Sequence, residues 1–204
     1  MNKLAIIGSG GHTRALLVLV EKHFGSGGAA IYDDSFEAGK DEHISLVPLV
    51  GKIRDIPADQ KIILSMGDNA MRKGYFFQFR QQIVHESLSH DTAFREVNSI
   101  IGGGNQFYAN SYVGAEVKVG DNNILNSGSI VEHESSIGSH NHISVGAKIC
   151  GRSHLGSTCL VGAGAVILDK VSICDEVVIG AGSIVTSDIL HPGVYIGTPA
   201  VRIK

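Results

Sequence analysis

The sequence has 204 residues, of which 43% are hydrophobic and 26 are glycine, and its formal net charge is −3. A mildly acidic chain without a basic stripe is a poor candidate for nucleic-acid binding, and no apolar run approaches the ~20 residues that cross a bilayer. The length fits one large domain or two small ones.

The first part of the chain alternates between short apolar runs and helical patterns, which predicts a small parallel, Rossmann-like α/β domain over residues 1–83. The first apolar run leads directly into a glycine-rich turn, so we interpret it as a strand and not as a signal peptide, and we expect a cytoplasmic protein. Thr13 is predicted to cap the first helix. The predicted strands are Lys3–Ile7, residues 29–32 and Lys61–Ser65, and the predicted helices are Thr13–His23 and Ala70–Gln82.

A glycine-rich turn lies between the first predicted strand and helix, where backbone N–H groups and the helix dipole favour an anion. The turn begins like the dinucleotide fingerprint, but Thr13 stands where the third glycine is expected, so NAD binding has weak support. Acidic residues at the end of the second strand are placed to bind a sugar hydroxyl. We expect a nucleotide or nucleotide-sugar site here, and the alternative is a set of tight turns without a ligand. The candidate residues are Gly10, Gly11, His12, Asp33, Asp34 and Gly67.

From Ile101 onward every sixth residue is apolar, a period that fits neither a helix nor a simple strand. Such a hexapeptide repeat predicts a parallel β-helix, in which three hexads form one triangular coil and the aliphatic side chains point inward. We assign residues 84–190 to this domain and 191–204 to a C-terminal tail. Glycines that follow the aliphatic residue are expected to ease the corners by adopting positive φ. The aliphatic positions are Ile101, Phe107, Val113, Val119, Leu125, Val131, Ile137, Ile143, Ile149, Leu155, Val161, Ile167, Ile173, Ile179 and Val185.

His133 and Glu134 interrupt this repeat with adjacent ionisable side chains. A histidine beside a carboxylate is the usual arrangement of a general base, although charged residues at a solvated corner are the alternative. His142 lies half a coil away, so the two histidines should not touch within one chain. They are placed to meet across an interface between two β-helices, which favours an oligomer. His140 and His154 are expected to be exposed corner residues.

Small residues recur at spacings of one coil, and they predict room for a long, thin ligand. Ala163 and Ala181 are eighteen residues apart and form one column, which Val145 continues. Gly151 lies one coil beyond His133, where it leaves space beside the base. Small residues are also common in any tightly wound coil.

The three cysteines, Cys150, Cys159 and Cys174, all lie in the repeat without a CxxC pair. They fit small core or corner positions in a reduced compartment. Since none stands beside an evident base, a thiol nucleophile is disfavoured.

The glycine-rich N-terminus, the aspartate pair, SMGDNAMRK, VEHESSIGSHNHISVGAKICG and the closing GTPA together resemble the bacterial sugar-nucleotide and sialic acid O/N-acetyltransferases of the hexapeptide-repeat class. The resemblance covers essentially the whole chain. It implies a left-handed β-helix, a homotrimer with sites at subunit interfaces, and acetyl-CoA as co-substrate without a metal. The expected reaction is N-acetylation of a UDP-4-amino-4,6-dideoxy sugar, and O-acetylation of a sialic acid-like sugar is the alternative.

The same resemblance implies a role for each candidate residue. His133 would be the general base and Glu134 its partner, and His142 would contact the acetyl carbonyl of acetyl-CoA. Gly151, Ala163 and Ala181 are assigned to cofactor binding from the column geometry.

Two other classes of function fit the sequence less well. Zinc-dependent β-helix lyases also use histidines at a trimer interface, but His133, His140 and His142 have the wrong spacing for that ligand set. A non-catalytic subunit would bind the sugar nucleotide and not acetyl-CoA.

Overall fold

The structure is a computed structural model that describes residues 4–25 and 27–204. It divides into two compact units after Leu88, five residues beyond the boundary proposed from sequence. The predicted fold class, an α/β domain followed by a left-handed parallel β-helix, is confirmed. Lys3, the predicted start of the first strand, lies outside the described residues. Within the described ranges, the structure contains no helix with the length and apolar character of a membrane span.

The first unit is a sheet with two helices. The first strand is buried at every position, as expected for a parallel strand covered on both faces. Its strands and helices are β1 (Leu4–Ile7), α1 (Gly11–Phe24), β2 (Ala29–Tyr32), β3 (His43–Ile44), β4 (Val47–Gly51), β5 (Ile62–Leu64) and α2 (Asn69–Gln78). The strand order is β3-β4-β2-β1-β5, and only the β3–β4 pair is antiparallel among these described strands. The carboxyl ends of β1, β2 and β5 therefore share one edge.

The start of α1 differs from the sequence prediction. The helix begins at Gly11 with Gly10 as its N-cap, so the prediction that Thr13 caps it is wrong. Thr13 lies inside the first turn and is fully buried. Its hydroxyl donates to the Gly8 carbonyl oxygen at 2.9 Å, and this buried partner holds it within the helix.

The end of α2 also differs, because the helix stops at Gln78 and not at Gln82. Beyond it the chain turns, and Ile83 forms a parallel bridge with Ile62 of β5. Gln82 stabilises the turn by donating from its side chain to the carbonyl oxygens of Pro57 and Gln60, both at 3.0 Å. Tertiary pairing thus overrides the helical pattern of the sequence.

The second unit consists of short strands that advance by six residues. Their bounds are β6 (Leu88–Ser89), β7 (Phe94–Arg95), β8 (Ile100–Ile101), β9 (Gln106–Phe107), β10 (Tyr112–Val113), β11 (Lys118–Val119), β12 (Ile124–Leu125), β13 (Ile130–Val131), β14 (Ser136–Ile137), β15 (His142–Ile143), β16 (Lys148–Ile149), β17 (His154–Leu155), β18 (Leu160–Val161), β19 (Val166–Ile167), β20 (Ser172–Ile173), β21 (Val177–Ile179), β22 (Ile184–Val185), β23 (Gly193–Gly197) and β24 (Ala200–Arg202). The last strand folds back antiparallel on β23.

These strands form three sheets, which we call faces 1, 2 and 3. Face 1 contains β7, β10, β13, β16, β19 and β22, and face 2 contains β8, β11, β14, β17 and β20. Face 3 contains β6, β9, β12, β15, β18, β21, β23 and β24. Pairing joins residues eighteen apart, for example Ile124 with His142 and His142 with Leu160. This register confirms three hexads per coil.

The aliphatic ladder forms the core of the second unit. Its members are buried, apart from the half-buried Ile101 at the start. Each fully buried aliphatic side chain contributes about 1.5–3 kcal/mol relative to an exposed one.

An asparagine ladder runs beside the aliphatic core and was not predicted. The side-chain oxygens of Asn105, Asn123 and Asn141 each accept from the backbone N–H one coil further on, at 2.6–2.8 Å. The last acceptor of the ladder serves Cys159. Buried polar side chains are tolerated here because their hydrogen bonds are made.

The glycines after the aliphatic residues serve a different purpose from the predicted one. They do not adopt positive φ; instead a Cβ on Gly120 would lie 2.7 Å from the Gly138 carbonyl oxygen, and one on Gly162 would lie 2.5 Å from the Ala181 nitrogen. Positive φ occurs two residues later in the corner, often at residues other than glycine, such as Glu116 at 60° after Gly114. Close approach of successive coils therefore explains these glycines.

Candidate functional site

The α/β unit contains a cleft of about 330 Å³ at the carboxyl edge of its sheet. This is the edge at which parallel sheets bind ligands. The structure brings together here all the residues that the sequence nominated for substrate binding: Gly10, Gly11, His12, Asp33, Asp34 and Gly67.

The glycine-rich turn presents open space to this cleft. A Cβ on Gly10 or Gly11 would meet nothing within 4 Å. Gly8 is different, since its φ of +111° favours glycine, and a Cβ there would lie in tight contact, 3.0 Å from the Ser65 hydroxyl. The turn is thus fixed at its base and accessible at the helix N-terminus, where backbone N–H groups favour an anion.

Thr13 explains why the dinucleotide fingerprint is incomplete. Where the fingerprint uses a third glycine for close packing of helix and strand, Thr13 bridges them with its hydroxyl, 2.8 Å from the Ser65 hydroxyl. The Ser65 hydroxyl oxygen also lies 3.1 and 3.0 Å from the carbonyl oxygens of Ile7 and Gly8, which are alternative acceptors for its single hydrogen. The sequence interpretation missed Ser65, although it follows β5 at the ligand-binding edge.

Asp33 braces the glycine-rich turn. One carboxylate oxygen accepts from the Ser9 N–H at 2.8 Å, and the other accepts from the N–H and hydroxyl of Ser35 at 2.9 and 2.6 Å. Burial raises the pKa of Asp33, but the hydrogen bonds from Ser35 and Ser9 outweigh it and lower the pKa below its ordinary value. Asp33 is therefore held ionised and shapes the loop.

Tyr75 and Asp34 lie on the wall of the same cleft. Burial raises the pKa of Tyr75, and the negative charges of Asp34 and Asp33 raise it further. A phenol that keeps its proton can donate to a ligand oxygen. Tyr75 was missed because its place in the helical pattern resembles that of an ordinary core aromatic residue.

In the β-helix unit, His133 and Glu134 occupy the corner between β13 and β14. The His133 Nδ1 lies 3.0 Å from the Glu134 carboxylate, and both side chains are about half exposed, at 49% and 52%. Because an ionised carboxylate only accepts hydrogen bonds, the hydrogen of this bond is on Nδ1. The Nε2 atom is then left as the basic nitrogen.

Gly151 lies against the imidazole ring of His133. A Cβ on Gly151 would be 2.7 Å from Nε2 and 2.8 Å from Cε1, so a side chain at this position is incompatible with the ring as placed. The backbone N–H of Arg152 donates to the His133 carbonyl oxygen at 2.9 Å. The next coil therefore fixes the corner backbone and leaves the space beside the basic nitrogen free of side-chain atoms.

The other histidines of the repeat have different surroundings. His142 lies in β15 on face 3, away from the corner of His133, with its Nε2 3.3 Å from the Asn126 amide nitrogen. His154 is exposed on face 2 and contacts the Ser136 hydroxyl at 2.8 Å. His140, expected to be exposed, is buried, because its Nδ1 hydrogen-bonds to Asn122 one coil below at 2.8 Å.

Ala163 and Ala181 form an exposed ridge at the corner between faces 3 and 1, continued by Val145. The carbonyl oxygens of Val145 and Ala163 accept from the N–H groups of Gly164 and Gly182, both at 2.9 Å. Short side chains leave the backbone of this ridge open to a long ligand.

A second cleft, of about 470 Å³, borders Glu134 on the side of the lower coils. Its charged side chains are Glu116, Lys118 and Glu134, and Ser136 adds a hydroxyl. The sequence interpretation did not include it, although the spacing of eighteen between Glu116 and Glu134 was available as a signal.

The cysteines do not resemble nucleophiles. Burial raises the pKa of Cys159 to about 11 and also raises the pKa values of Cys150 and Cys174. Thiols with raised pKa are poor nucleophiles at neutral pH. Across the part of the chain that the structure describes, no group of three or more His, Cys, Asp or Glu residues is arranged to hold a metal ion.

Two family models match the chain in sequence. Residues 3–79 match the PglD N-terminal domain, and residues 152–187 match the bacterial transferase hexapeptide model of six repeats. A search of functionally curated proteins found no match.

Solved structures match over the whole length. The acetyltransferase domain of PglB from Neisseria gonorrhoeae FA1090 is 25% identical with a TM-score of 0.91, and each chain is covered completely. The structure of that domain in complex with acetyl coenzyme A is 26% identical with a TM-score of 0.89 and the same coverage. PerB from Caulobacter crescentus, in complex with CoA and GDP-perosamine, is 24% identical with a TM-score of 0.91, covers 100% of this chain and 98% of its own, and shares the fold.

Proposed function

We propose that this chain, a hexapeptide-repeat sugar acetyltransferase by family and fold, transfers the acetyl group of acetyl-CoA to the amino group of a nucleotide-linked amino sugar. The observation that carries the proposal is the corner at His133. There a carboxylate orients an imidazole at 3.0 Å, and Gly151 leaves its other nitrogen accessible.

Each unit supplies one part of this function. The cleft of the α/β unit offers backbone N–H groups at the start of α1, which suit the phosphates of a nucleotide. The ridge at Ala163 and Ala181 offers open backbone to the pantetheine arm of acetyl-CoA, and the similar PglB domain binds acetyl coenzyme A. No metal is required for acyl transfer from a thioester.

The chemical step is direct transfer. The sugar nitrogen attacks the thioester carbonyl carbon while His133 Nε2 accepts a proton from that nitrogen. The carbon–sulfur bond then breaks, and the CoA sulfur leaves and takes up the proton from His133. Glu134 stabilises the transient imidazolium through Nδ1, and Cys159 with its raised pKa takes no part.

We further propose a homotrimer in which the active site is shared. His133 and His142 lie in different parts of the triangular cross-section of one chain, so one chain does not bring them together. The partner subunit's His142 would stabilise the oxyanion that develops on the acetyl carbonyl.

The test is thiol release from acetyl-CoA with a UDP-4-amino-4,6-dideoxy sugar or free sialic acid as acceptor. We expect CoA release with the amino sugar and a loss of about 10²–10⁴ in turnover for His133→Ala, the usual range for a general base. His154→Ala is the matched control, since that exposed histidine lies on face 2, where its ring contacts the Ser136 hydroxyl at 2.8 Å.

Two results would contradict parts of this proposal. Near-normal turnover in His133→Ala would remove the general base. Release with sialic acid alone would move the acceptor to the O-acetyl class and leave the cofactor and base in place.

A further inference from the structure

Arg72 is a fully buried arginine in the α/β unit, and it lies behind the wall of the nucleotide cleft. It belongs to α2, whose first residue is Asn69. A guanidinium removed from water is destabilising unless its donors are used. The positions of its hydrogen bonds therefore indicate what it does.

The guanidinium donates to the segment that connects β5 to α2. Its Nη1 lies 3.1 Å from the Met66 carbonyl oxygen and 3.4 Å from that of Gly67, and its Nη2 lies 2.8 Å from the Asn69 side-chain oxygen. Met66 and Gly67 line the cleft, so one side chain holds consecutive peptide groups of the cleft wall.

This contact sets the direction of the neighbouring N–H groups. In a trans peptide the carbonyl and the following N–H point in opposite directions. When the carbonyl oxygens of Met66 and Gly67 are held toward Arg72, the N–H groups of Gly67 and Asp68 are turned to the other side. The wall segment is thereby given one orientation toward a ligand in the cleft.

We infer that Arg72 is a positioning residue for nucleotide binding, which it serves by fixing the peptide groups of the Met66–Asp68 wall. The inference rests on the proposed function of the cleft. The planar fork of arginine bonds to several acceptors at once, which the single ammonium of lysine does not reproduce. Methionine fills similar space and donates nothing.

The experiment compares Arg72→Met, Arg72→Lys and the exposed control Arg80→Met in the full chain. The readouts are the Kd of UDP by calorimetry, the KM values for the sugar nucleotide and acetyl-CoA, and Tm. We expect Arg72→Met to weaken UDP binding by about tenfold to a hundredfold, since small misplacements have effects of that size. Arg72→Lys should be intermediate, and KM for acetyl-CoA should not change.

The outcomes separate this inference from the proposed function. A folded Arg72→Met with the wild-type Kd for UDP overturns the positioning role. If Arg72→Met fails to fold, Arg72→Lys decides, and unchanged UDP affinity in that variant overturns the role. Absence of binding of UDP, GDP and dTDP to the wild type overturns the nucleotide assignment together with this inference.

Discussion

In the β-helix unit the surroundings of a residue follow from the residues eighteen positions away, whereas in the α/β unit they follow from contacts between distant segments. Gly151 lies against the ring of His133 because it is one coil further on. Thr13 contacts Ser65, 52 positions away in the sequence, and a repeat spacing does not predict this contact. In a repeat, the contacts of a residue can therefore be predicted from the spacing in the sequence, whereas in an aperiodic sheet they cannot.

The largest expected effect tests whether His133 depends on the space that Gly151 leaves beside its ring, one coil further on. In Gly151→Ala the added methyl group would overlap the His133 ring, 2.7 Å from Nε2. The ring is half exposed and can turn away from the methyl group at the expense of its bond to Glu134, so we expect turnover to fall about a hundredfold while Tm stays close to that of the wild type. Turnover is measured by CoA release and Tm by calorimetry.

Gly120→Ala is the control for that variant, since the same change there meets backbone, 2.7 Å from the Gly138 carbonyl oxygen. We expect a destabilisation of about 1–3 kcal/mol, as for other overpacked sites. Equal turnover in Gly151→Ala and wild type would show that the base does not depend on the space above it.

The asparagine ladder gives the second prediction. In Asn141→Leu the backbone N–H of Cys159 loses its acceptor, now at 2.6 Å, and Gly156 loses a donor to its carbonyl oxygen. A buried group left without its partner costs about 1–3 kcal/mol, measured by urea unfolding. UDP binding by the α/β unit should be unchanged at 25 °C.

Asn98→Leu is the matched exposed change, since the Asn98 side-chain oxygen also accepts from a backbone N–H one coil further on, that of Glu116 at 3.3 Å, but at an exposed corner where water can replace it. It should alter the free energy of unfolding by no more than about 0.5 kcal/mol. If the two variants lower the free energy of unfolding equally, burial of the asparagine ladder adds nothing to its contribution to stability.

The smallest effect concerns Asp33 and pH. Because its pKa in the folded protein is lowered by the hydrogen bonds from Ser35 and Ser9, ionised Asp33 stabilises the fold above its unfolded pKa of about 3.9. That stabilisation is lost as pH falls through the lowered folded pKa. We expect Asp33→Asn to have a lower Tm than wild type at pH 6 and the difference to shrink as pH falls below about 3.9, in a pH series of thermal melts. A difference in Tm that is constant with pH would be inconsistent with this role.

The same contrast explains how much could be predicted from sequence. The hexads located every strand from β8 to β22, and the spacing of eighteen placed Gly151 beside His133. The family resemblance, the fold class and the acetyltransferase class are confirmed, whereas the roles of the individual site residues and the homotrimer stay predictions.

The features that the sequence did not reveal depend on where a side chain points and which residue it contacts. Threonine is a common N-cap residue, and only the buried contact of Thr13 with Gly8 shows that it belongs inside the helix. The sequence does not single out Arg72, because α2 carries polar residues on several sides. The asparagine ladder did have a signal, since Asn105, Asn123 and Asn141 share the repeat's spacing, but asparagine is usually read as a turn residue.

The eighteen-residue register also makes the height of the β-helix a quantity that can change without disturbing its cross-section. An inserted whole coil would displace Ala181 along the axis by one strand spacing, about 4.8 Å, and keep every column in line. An inserted single hexad would instead rotate all later residues by one face, so that the ridge and the corner of His133 would no longer lie at the two edges of face 1. Length variation in such a chain is therefore tolerated in whole turns, and the distance between base and ridge changes in discrete steps.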